Sequence, residues 1–445
     1  MRFTFRKIAY AVLGLYFLVT CYTGFVLFRR RLYAAYTNNK ERIILEKIQS
    51  LRDISDDENW NPWGEEFENE NSFIQHHEPP KILWEMEHSL GRSPLDSKDN
   101  STEEFIVEVW GKAAIGIYLW EHILGGLIEK KMGGVWSYGV KKIHSIKFRL
   151  RTGPGVIPSK VPRNTENLLL VLNGREPSKT DFAKLWLDFL PALPYLKNVA
   201  VVILGNEQCN NDWLKSYMQI RGGPIKFAFL VYDSPDIDNV NFYQWPLGVA
   251  TYRDFPKVDT AHLPLTMHRK YLCNFMGTIY RNSSREILMN ILEKNNLLSS
   301  CYVKPRKEWM PQETDTSREE YMRALAQSDL TLNPVGVNTE CYRIYEALSY
   351  GSLPVVEDVM TPGNCGSSSA SLVAPLRLLK EYNAPIVYMK DWNQIVDILD
   401  QEAKMPHEDK VKRRQKLIQW YENFKSLMRE RLVRILEERF FNIKR

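Results

Sequence analysis

From residue 168 onward, apolar runs of strand length recur along this 445-residue chain, and they constrain its fold more than any other feature. Leu168–Leu172, Ala200–Leu204 and Phe227–Tyr232 are nearly continuous rather than alternating. A strand that is apolar on both faces belongs in a parallel sheet with helices covering both sides. Segments with helical spacing lie between these runs, as at Phe182 to Phe189. A second set begins near Tyr271, with strands expected at Tyr271–Met276, Asp329–Leu332, Leu353–Val356 and Pro385–Met389. Helices are expected at Arg285–Glu293, Arg318–Gln327, Glu340–Tyr350 and Trp392–Glu402. Strand–helix alternation thus occurs twice, with Pro246–Pro264 as the hinge. The fold class this predicts is α/β, with two Rossmann-like domains, 105–260 and 261–403, facing a cleft. Residues 404–445 read as basic C-terminal helices.

The N-terminus has another character. Ile8 to Phe28 is 21 residues without a charge, long enough to span a bilayer as one helix. Residues 1–7 then form a short tail and 8–28 a signal anchor. A cleavable signal peptide, the rival reading, wants a shorter apolar core and a small-x-small cleavage site. Residues 51–104 carry 15 acidic and four basic residues, and the whole of 29–104 reads as an acidic stem. Asn100 and Asn282 open glycosylation sequons, which fit a lumenal body. Cys209, Cys273, Cys301, Cys341 and Cys365 cannot all pair with one another, and none shows the C-x-x-C spacing of a zinc site. One or two disulfides are allowed, with connectivity unreadable. The net charge is only +5, and outside the N-terminus there is no Lys/Arg block, which excludes nucleic acid as the first partner to consider.

Two stretches carry chemistry. In open parallel sheets, ligands sit beyond the carboxyl ends of the strands, where helix N-termini offer free N–H groups to phosphate. "DLTLNPVG" is a strand that ends at Pro334 and Gly336 and leads into a helix bearing Glu340, Arg343 and Glu346 at three-residue spacing. A carboxylate there can accept both hydroxyls of a ribose, and a guanidinium can hold a diphosphate. The bland reading is a surface i,i+3 ion pair. "LCNFMGTIYRNSSR" repeats the theme. Gly277 lets the backbone approach a ligand closely, and Thr278, Arg281 and Arg285 sit where phosphate oxygens can be gripped.

These residues resemble the donor-binding signature of exostosin-type glycosyltransferases: Pro334-x-Gly336, Arg343-x-x-Glu346-Ala347-Leu348, Gly351, then Pro354-Val355-Val356, with the Phe-x-Gly loop at Phe275 to Gly277. That similarity covers roughly residues 271–359. "WGKAAIGIYLWEHI", "QWPLGVATYR" and "NPVGVNTECYRIYEA" further resemble a family of vertebrate Golgi xylosyltransferases that act on ribitol phosphate, from the anchor to the C-terminus. The resemblance implies a GT-B-like fold and a single-pass type II protein of the Golgi membrane with its catalytic body in the lumen. It implies UDP-xylose as donor and a ribitol phosphate on the O-mannosyl glycan of α-dystroglycan as acceptor. Fukutin and fukutin-related protein are the implied partners. By position, Glu346 becomes the ribose ligand, Arg343 and Arg285 the diphosphate ligands, Gly277 and Thr278 backbone contacts at the phosphate, and Glu340 a contact to the donor sugar.

Forming a β-linked xyloside from an α-linked donor requires inversion, hence a general base facing the departing UDP. Asp233, Glu207 and His122 are the candidates in that order, ahead of Glu121 and Asp212, because the first two close the strands "FAFLVYD" and "VVILGNE". Each is equally readable as a loop-capping acid or a core-edge histidine. An anionic acceptor makes Lys112, Arg149 and Arg175 candidate phosphate contacts. Asp236-Ile237-Asp238 matches the Asp-x-Asp that holds manganese in single-domain, metal-dependent transferases, but two phosphate loops make such an ion unnecessary, so neither metal nor cofactor is expected. An exostosin-like enzyme with another UDP-sugar and a catalytically silent Golgi scaffold are the competing readings.

Overall fold

The computed structural model describes residues 104–131, 134–308, 314–366 and 374–443. The expected tail, anchor, Asn100 and nearly all of the stem lie outside these residues. Among the described residues no helix is long and apolar enough to cross a membrane.

Residues 98–445 form one compact unit built on two sheets. The first contains β1 (Phe105–Gly111), β2 (Glu129–Lys131), β3 (Trp136–Ile143), β4 (Ile146–Thr152), β5 (Asn167–Asn173), β6 (Asn198–Leu204), β7 (Phe227–Val231) and β8 (Phe242–Trp245), in the order β2-β3-β4-β1-β5-β6-β7-β8. From β4 to β8 every pair is parallel, and β2, β3 and β4 pair antiparallel at one edge. The second sheet is wholly parallel: β9 (Tyr271–Thr278), β10 (Cys301–Arg306), β11 (Ser328–Asn333), β12 (Leu353–Glu357) and β13 (Val387–Met389), in the order β10-β9-β11-β12-β13. The apolar runs are the central strands. Every residue of β6, β7, β11 and β12 is buried, as double-sided cover demands.

These two orders position the site. In a doubly wound sheet the ligand crevice opens where successive connections leave in opposite directions. In the second sheet that point is between β9 and β11, and in the first it is between β1 and β5.

The helix Tyr342–Ser349 feeds β12 through a Schellman stop. Ser352 N–H reaches back to Ala347 O at 3.0 Å and Gly351 N–H to Leu348 O at 3.2 Å, with Gly351 at φ +63°. This helix begins two residues later than its spacing suggests. Asn338 Oδ1 accepts the Glu340 N–H at 2.8 Å, a turn that keeps Glu340 off the helix and in the preceding loop.

The C-terminal stretch is one 35-residue helix, His407–Phe441. Its first turns serve the second sheet and its last turns the first. Near its start, Arg414 is fully buried and donates to Leu265 O, Met267 O and Asp329 Oδ1 at 2.7–2.8 Å. Near its end, Phe441 stacks on Phe105 with centroids 4.2 Å apart. Burial alone would raise the Asp329 carboxyl, but hydrogen bonds from Arg414 and Lys410 outweigh it and hold the group below its ordinary value. Asp329 therefore adds stability above the ordinary carboxylate range and loses it as pH falls through the depressed value. Arg414→Ala leaves the buried Asp329 carboxylate with Lys410 alone, strips Leu265 O and Met267 O of their donor, and is expected to cost roughly 3–5 kcal/mol in urea unfolding at neutral pH. The loss should shrink once acid protonates Asp329. A loss below about 1 kcal/mol, the scale of an exposed ion pair, would show that this triad does not hold the last helix in place.

Candidate active site

One cleft of about 1000 Å³ receives the carboxyl ends of strands from both sheets. Lys112, just past β1, and Asn173 and Arg175, at and just past the end of β5, bring the first switch point to it. Gly277 and Thr278 at the end of β9, and Gly336 beyond β11, bring the second.

At the second switch point two guanidinium groups lie side by side. Arg343 donates one N–H to Met276 O at 2.8 Å and lies over the Phe275 ring, while its Nε and Nη1 are buried without a partner. Arg285 donates to Thr278 O at 2.8 Å and leaves its Nε unpaired. Neither is ion-paired among the described residues. Burial and the neighbouring Arg343 both lower the Arg285 proton affinity. Buried N–H donors and a repelling cation pair are costly unless an anion completes them. The two glycines are there for the arginines. A Cβ on Gly277 would sit 2.9 Å from Arg343 Nη2, and one on Gly336 would sit 2.5 Å from Arg285 Nη2. Thus the room expected for a ligand at Gly277 is occupied by the side chain that would grip it.

Two buried carboxylates complete this wall. Glu346 accepts the Ala250 N–H at 3.0 Å and the Tyr321 hydroxyl at 2.6 Å. Glu340 Oε1 accepts the Leu247 N–H at 2.9 Å and the Tyr345 hydroxyl at 2.5 Å, while its Oε2 has no partner. Both carboxylates line the cleft. Burial pushes Glu340 up to about 7, against the pull of Tyr345 and the Leu247 N–H. Burial raises Glu346 as well. Across the cleft, Arg175 pairs with Glu207 at 2.8 Å. Tyr252 and Tyr342 face each other with centroids 5.6 Å apart.

Two family models match the chain, the RXYLT1 N-terminal domain over residues 107–246 and the RXYLT1 C-terminal domain over 252–441. Ribitol-5-phosphate xylosyltransferase 1 of Danio rerio is 43% identical over 100% of both chains, and that of Homo sapiens 42% identical over 99% of both. The chain belongs to the ribitol-5-phosphate xylosyltransferase 1 family. Among solved structures, the catalytic domain of Arabidopsis thaliana starch synthase IV, bound to ADP and acarbose, matches at 9% identity and a TM-score of 0.37. That match covers 74% of this chain and 100% of the other, a likeness too loose to place any residue.

In this member of the ribitol-5-phosphate xylosyltransferase family, the residues singled out from the sequence divide sharply. Gly277, Thr278, Arg285, Gly336, Glu340, Arg343 and Glu346 all line the cleft, as do Lys112, Arg175 and Glu207. Arg281 is exposed and is not part of that lining. Asn282 is exposed, as a glycosylated asparagine must be. Arg149 lies on β4 beside Glu108, 3.9 Å away. Asp233, ranked first as base, is buried against Arg377 at 3.1 Å and stays outside the lining. His122 sits in a π-helix, Tyr118–Ile123, beside the Tyr118 ring and also outside the lining. Burial, Lys425 and Lys257 bring it down to about 4. Neither Glu121 nor Asp212 reaches the cleft wall.

Asp236 pairs with Lys215 at 2.8 Å, and Asp238 caps its own loop by accepting the Val240, Asn241 and Phe242 N–H groups. Lys112 donates to Pro154 O at 2.6 Å and stands over Phe182, with no carboxylate partner among the described residues. Sequence reasoning missed Tyr321 and Asn338, whose partners Glu346 and Glu207 lie on other elements, and Tyr345, which bonds Glu340 only because that residue leaves the helix.

Because its folded carboxyl is raised, Glu340 favours folding most in acid, and that contribution falls as pH climbs from the ordinary glutamate range to about 7. Glu340→Gln keeps the acceptor oxygen for Leu247 and cannot ionise. Its stability relative to the parent should rise between about pH 5 and pH 7 in denaturant titrations and level off above that. A constant difference would mean that Glu340 does not titrate in this window.

Proposed function

We propose that the chain transfers xylose from UDP-xylose, with inversion, to ribitol 5-phosphate on the O-mannosyl glycan of α-dystroglycan. The observation that carries this reading is the incomplete guanidinium pair, Arg285 and Arg343, at the β9/β11 switch point of a chain whose curated relatives bear the ribitol-5-phosphate xylosyltransferase name. The pair accepts the diphosphate and stabilises the charge that develops on departing UDP. Glu346 takes the ribose hydroxyls, and the free Oε2 of Glu340 accepts a hydroxyl of xylose. Lys112 and Arg175, at the β1/β5 switch point, take the acceptor phosphate. The arrangement is GT-B-like, with donor and acceptor meeting between two Rossmann-like halves.

Glu207 is the base this geometry favours, since of the three leading candidates it alone lines the cleft. The acceptor oxygen bonds to the anomeric carbon as that carbon's bond to the diphosphate oxygen breaks. UDP leaves with the electron pair, and Glu207 takes the hydroxyl proton and later yields it to solvent. The guanidinium pair brings the positive charge a divalent ion would otherwise bring, so no metal is required.

The reading extends to a Golgi protein of type II topology, held by the 8–28 anchor and working with fukutin and fukutin-related protein. Two disulfides, Cys209–Cys365 and Cys273–Cys301, suit an oxidising lumen, and exposed Asn282 suits glycosylation there. A silent scaffold has no use for a half-buried cation pair with unmatched N–H groups.

The test is xylosyl transfer from UDP-xylose to a ribitol 5-phosphate acceptor, with the product linkage read by NMR. Transfer should survive EDTA and yield the β-anomer. Arg343→Ala should lower kcat/KM roughly 100-fold or more. Gly336→Ala, which forces Arg285 aside, should lower it less. Undiminished turnover in Arg343→Ala would remove the proposed donor site, and an α-linked product would overturn inversion with Glu207 as base.

A further inference from the structure

We infer that the Cys209–Cys365 disulfide is a positioning device for catalysis, holding Glu207 against the donor-binding half before any substrate arrives. The inference rests on the reading of Glu207 as the base.

The loop from Asn206 to Cys209 leaves the end of β6 and so belongs, by connectivity, to the first sheet. Its ties run to the second half. Cys209 is bonded to Cys365, 156 residues away and beyond β12. Asn338, in the loop that leads to the Arg343 helix, donates its Nδ2–H to Glu207 O at 2.7 Å. The Asn364 N–H reaches Gln208 O at 2.9 Å. Gly363 allows that approach. It sits at φ +94°, and a Cβ there would lie 2.9 Å from Gln208 Cβ.

On its own side the loop is rigid too. Asn206 Oδ1 accepts the Gln208 N–H at 2.9 Å, and Asn206 Nδ2–H reaches Arg175 O at 2.8 Å. Glu207 thus carries a backbone clamped from both halves. Its carboxylate is paired with Arg175 on the acceptor side and lies within electrostatic reach of Arg285 on the donor side.

A base that must meet a hydroxyl beside a departing diphosphate needs placement within a fraction of an ångström, and a two-half site without a tie would reach that placement only on closure. Here the disulfide and the Asn338 hydrogen bond set the distance between the Glu207 loop and the Arg343 loop in advance.

The test uses the full chain and a double-mutant cycle. Cys209→Ser with Cys365→Ser is expected to lower kcat roughly 10- to 100-fold. Its Kd and binding stoichiometry for UDP-xylose, by calorimetry, should stay within about 2-fold of the parent, which loss of folded protein would not allow. Glu207→Gln should cost far less in the unlinked background than in the parent, because the base is already out of place. Asn338→Ala, which keeps the disulfide, supplies a milder second arm in which the same coupling with Glu207 is read. Unchanged kcat in the folded unlinked protein would overturn the inference, and so would effects that simply multiply. Transfer by the parent, measured alongside, tests the proposed activity on its own.

Discussion

Two buried carboxylates hold the halves of this molecule in register. Glu346 and Glu340 are nearly inaccessible, and each takes a backbone N–H from the segment that links the two sheets, Ala250 for the one and Leu247 for the other. A buried carboxylate without donors would be expensive, and a linker N–H without an acceptor equally so. Each thus satisfies the other. Gly248 lies between the two contacts at positive φ, with the Tyr118 ring packed where a side chain would be. Tyr118 in turn meets the Tyr421 hydroxyl of the last helix. The same few residues therefore join the first half, the linker, the signature helix and the C-terminal helix.

That register explains why two separate switch points share one cleft. Each sheet on its own offers a crevice where its winding reverses. With the linker seated on Glu340 and Glu346, the two crevices open into the same space. At the β9/β11 switch point the surface is built from arginines laid over glycines, and it leaves guanidinium N–H groups buried and unmatched among the described residues. At the β1/β5 switch point Lys112 has no counter-charge among the described residues. Both surfaces are incomplete in the same sense, as the proposed binding of two anionic substrates requires. The carboxylates that set the register also line the cleft beside the two arginines, so the proposed donor site and the seating of the linker draw on the same side chains.

Much of this was legible in the sequence. Runs such as "VAVVIL" announce strands buried on both faces, and "YGS" marks a helix stop. The first-sheet strands β3 and β4 alternate, and β10, "CYVKPR", is a polar edge strand with proline, so none of these stood out as an apolar run. The residues proposed to bind the donor stood out because they cluster in sequence, within two loops, and all but Arg281 line the cleft. Asp233 shows where that logic ends. A strand-end acid looks catalytic until it is seen buried against Arg377, 144 residues away, and outside the cleft lining. The Cys209–Cys365 pairing and the Asn338 contact to Glu207 likewise join positions more than a hundred residues apart, and no local pattern encodes them. Glu340 was read as part of a helical stripe, but an asparagine turn and the linker draw it out of the helix.

A UDP-sugar, and UDP-xylose above others, is the ligand proposed for the β9/β11 crevice. Calorimetric titration of the protein with UDP-xylose, UDP-glucose, UDP-glucuronic acid and UDP-N-acetylglucosamine, in the presence of EDTA, tests it most directly. The account requires UDP-xylose to bind most tightly and the binding to disappear in Arg285→Ala. Tighter binding of another sugar nucleotide, or binding that outlasts the loss of Arg285, would contradict it.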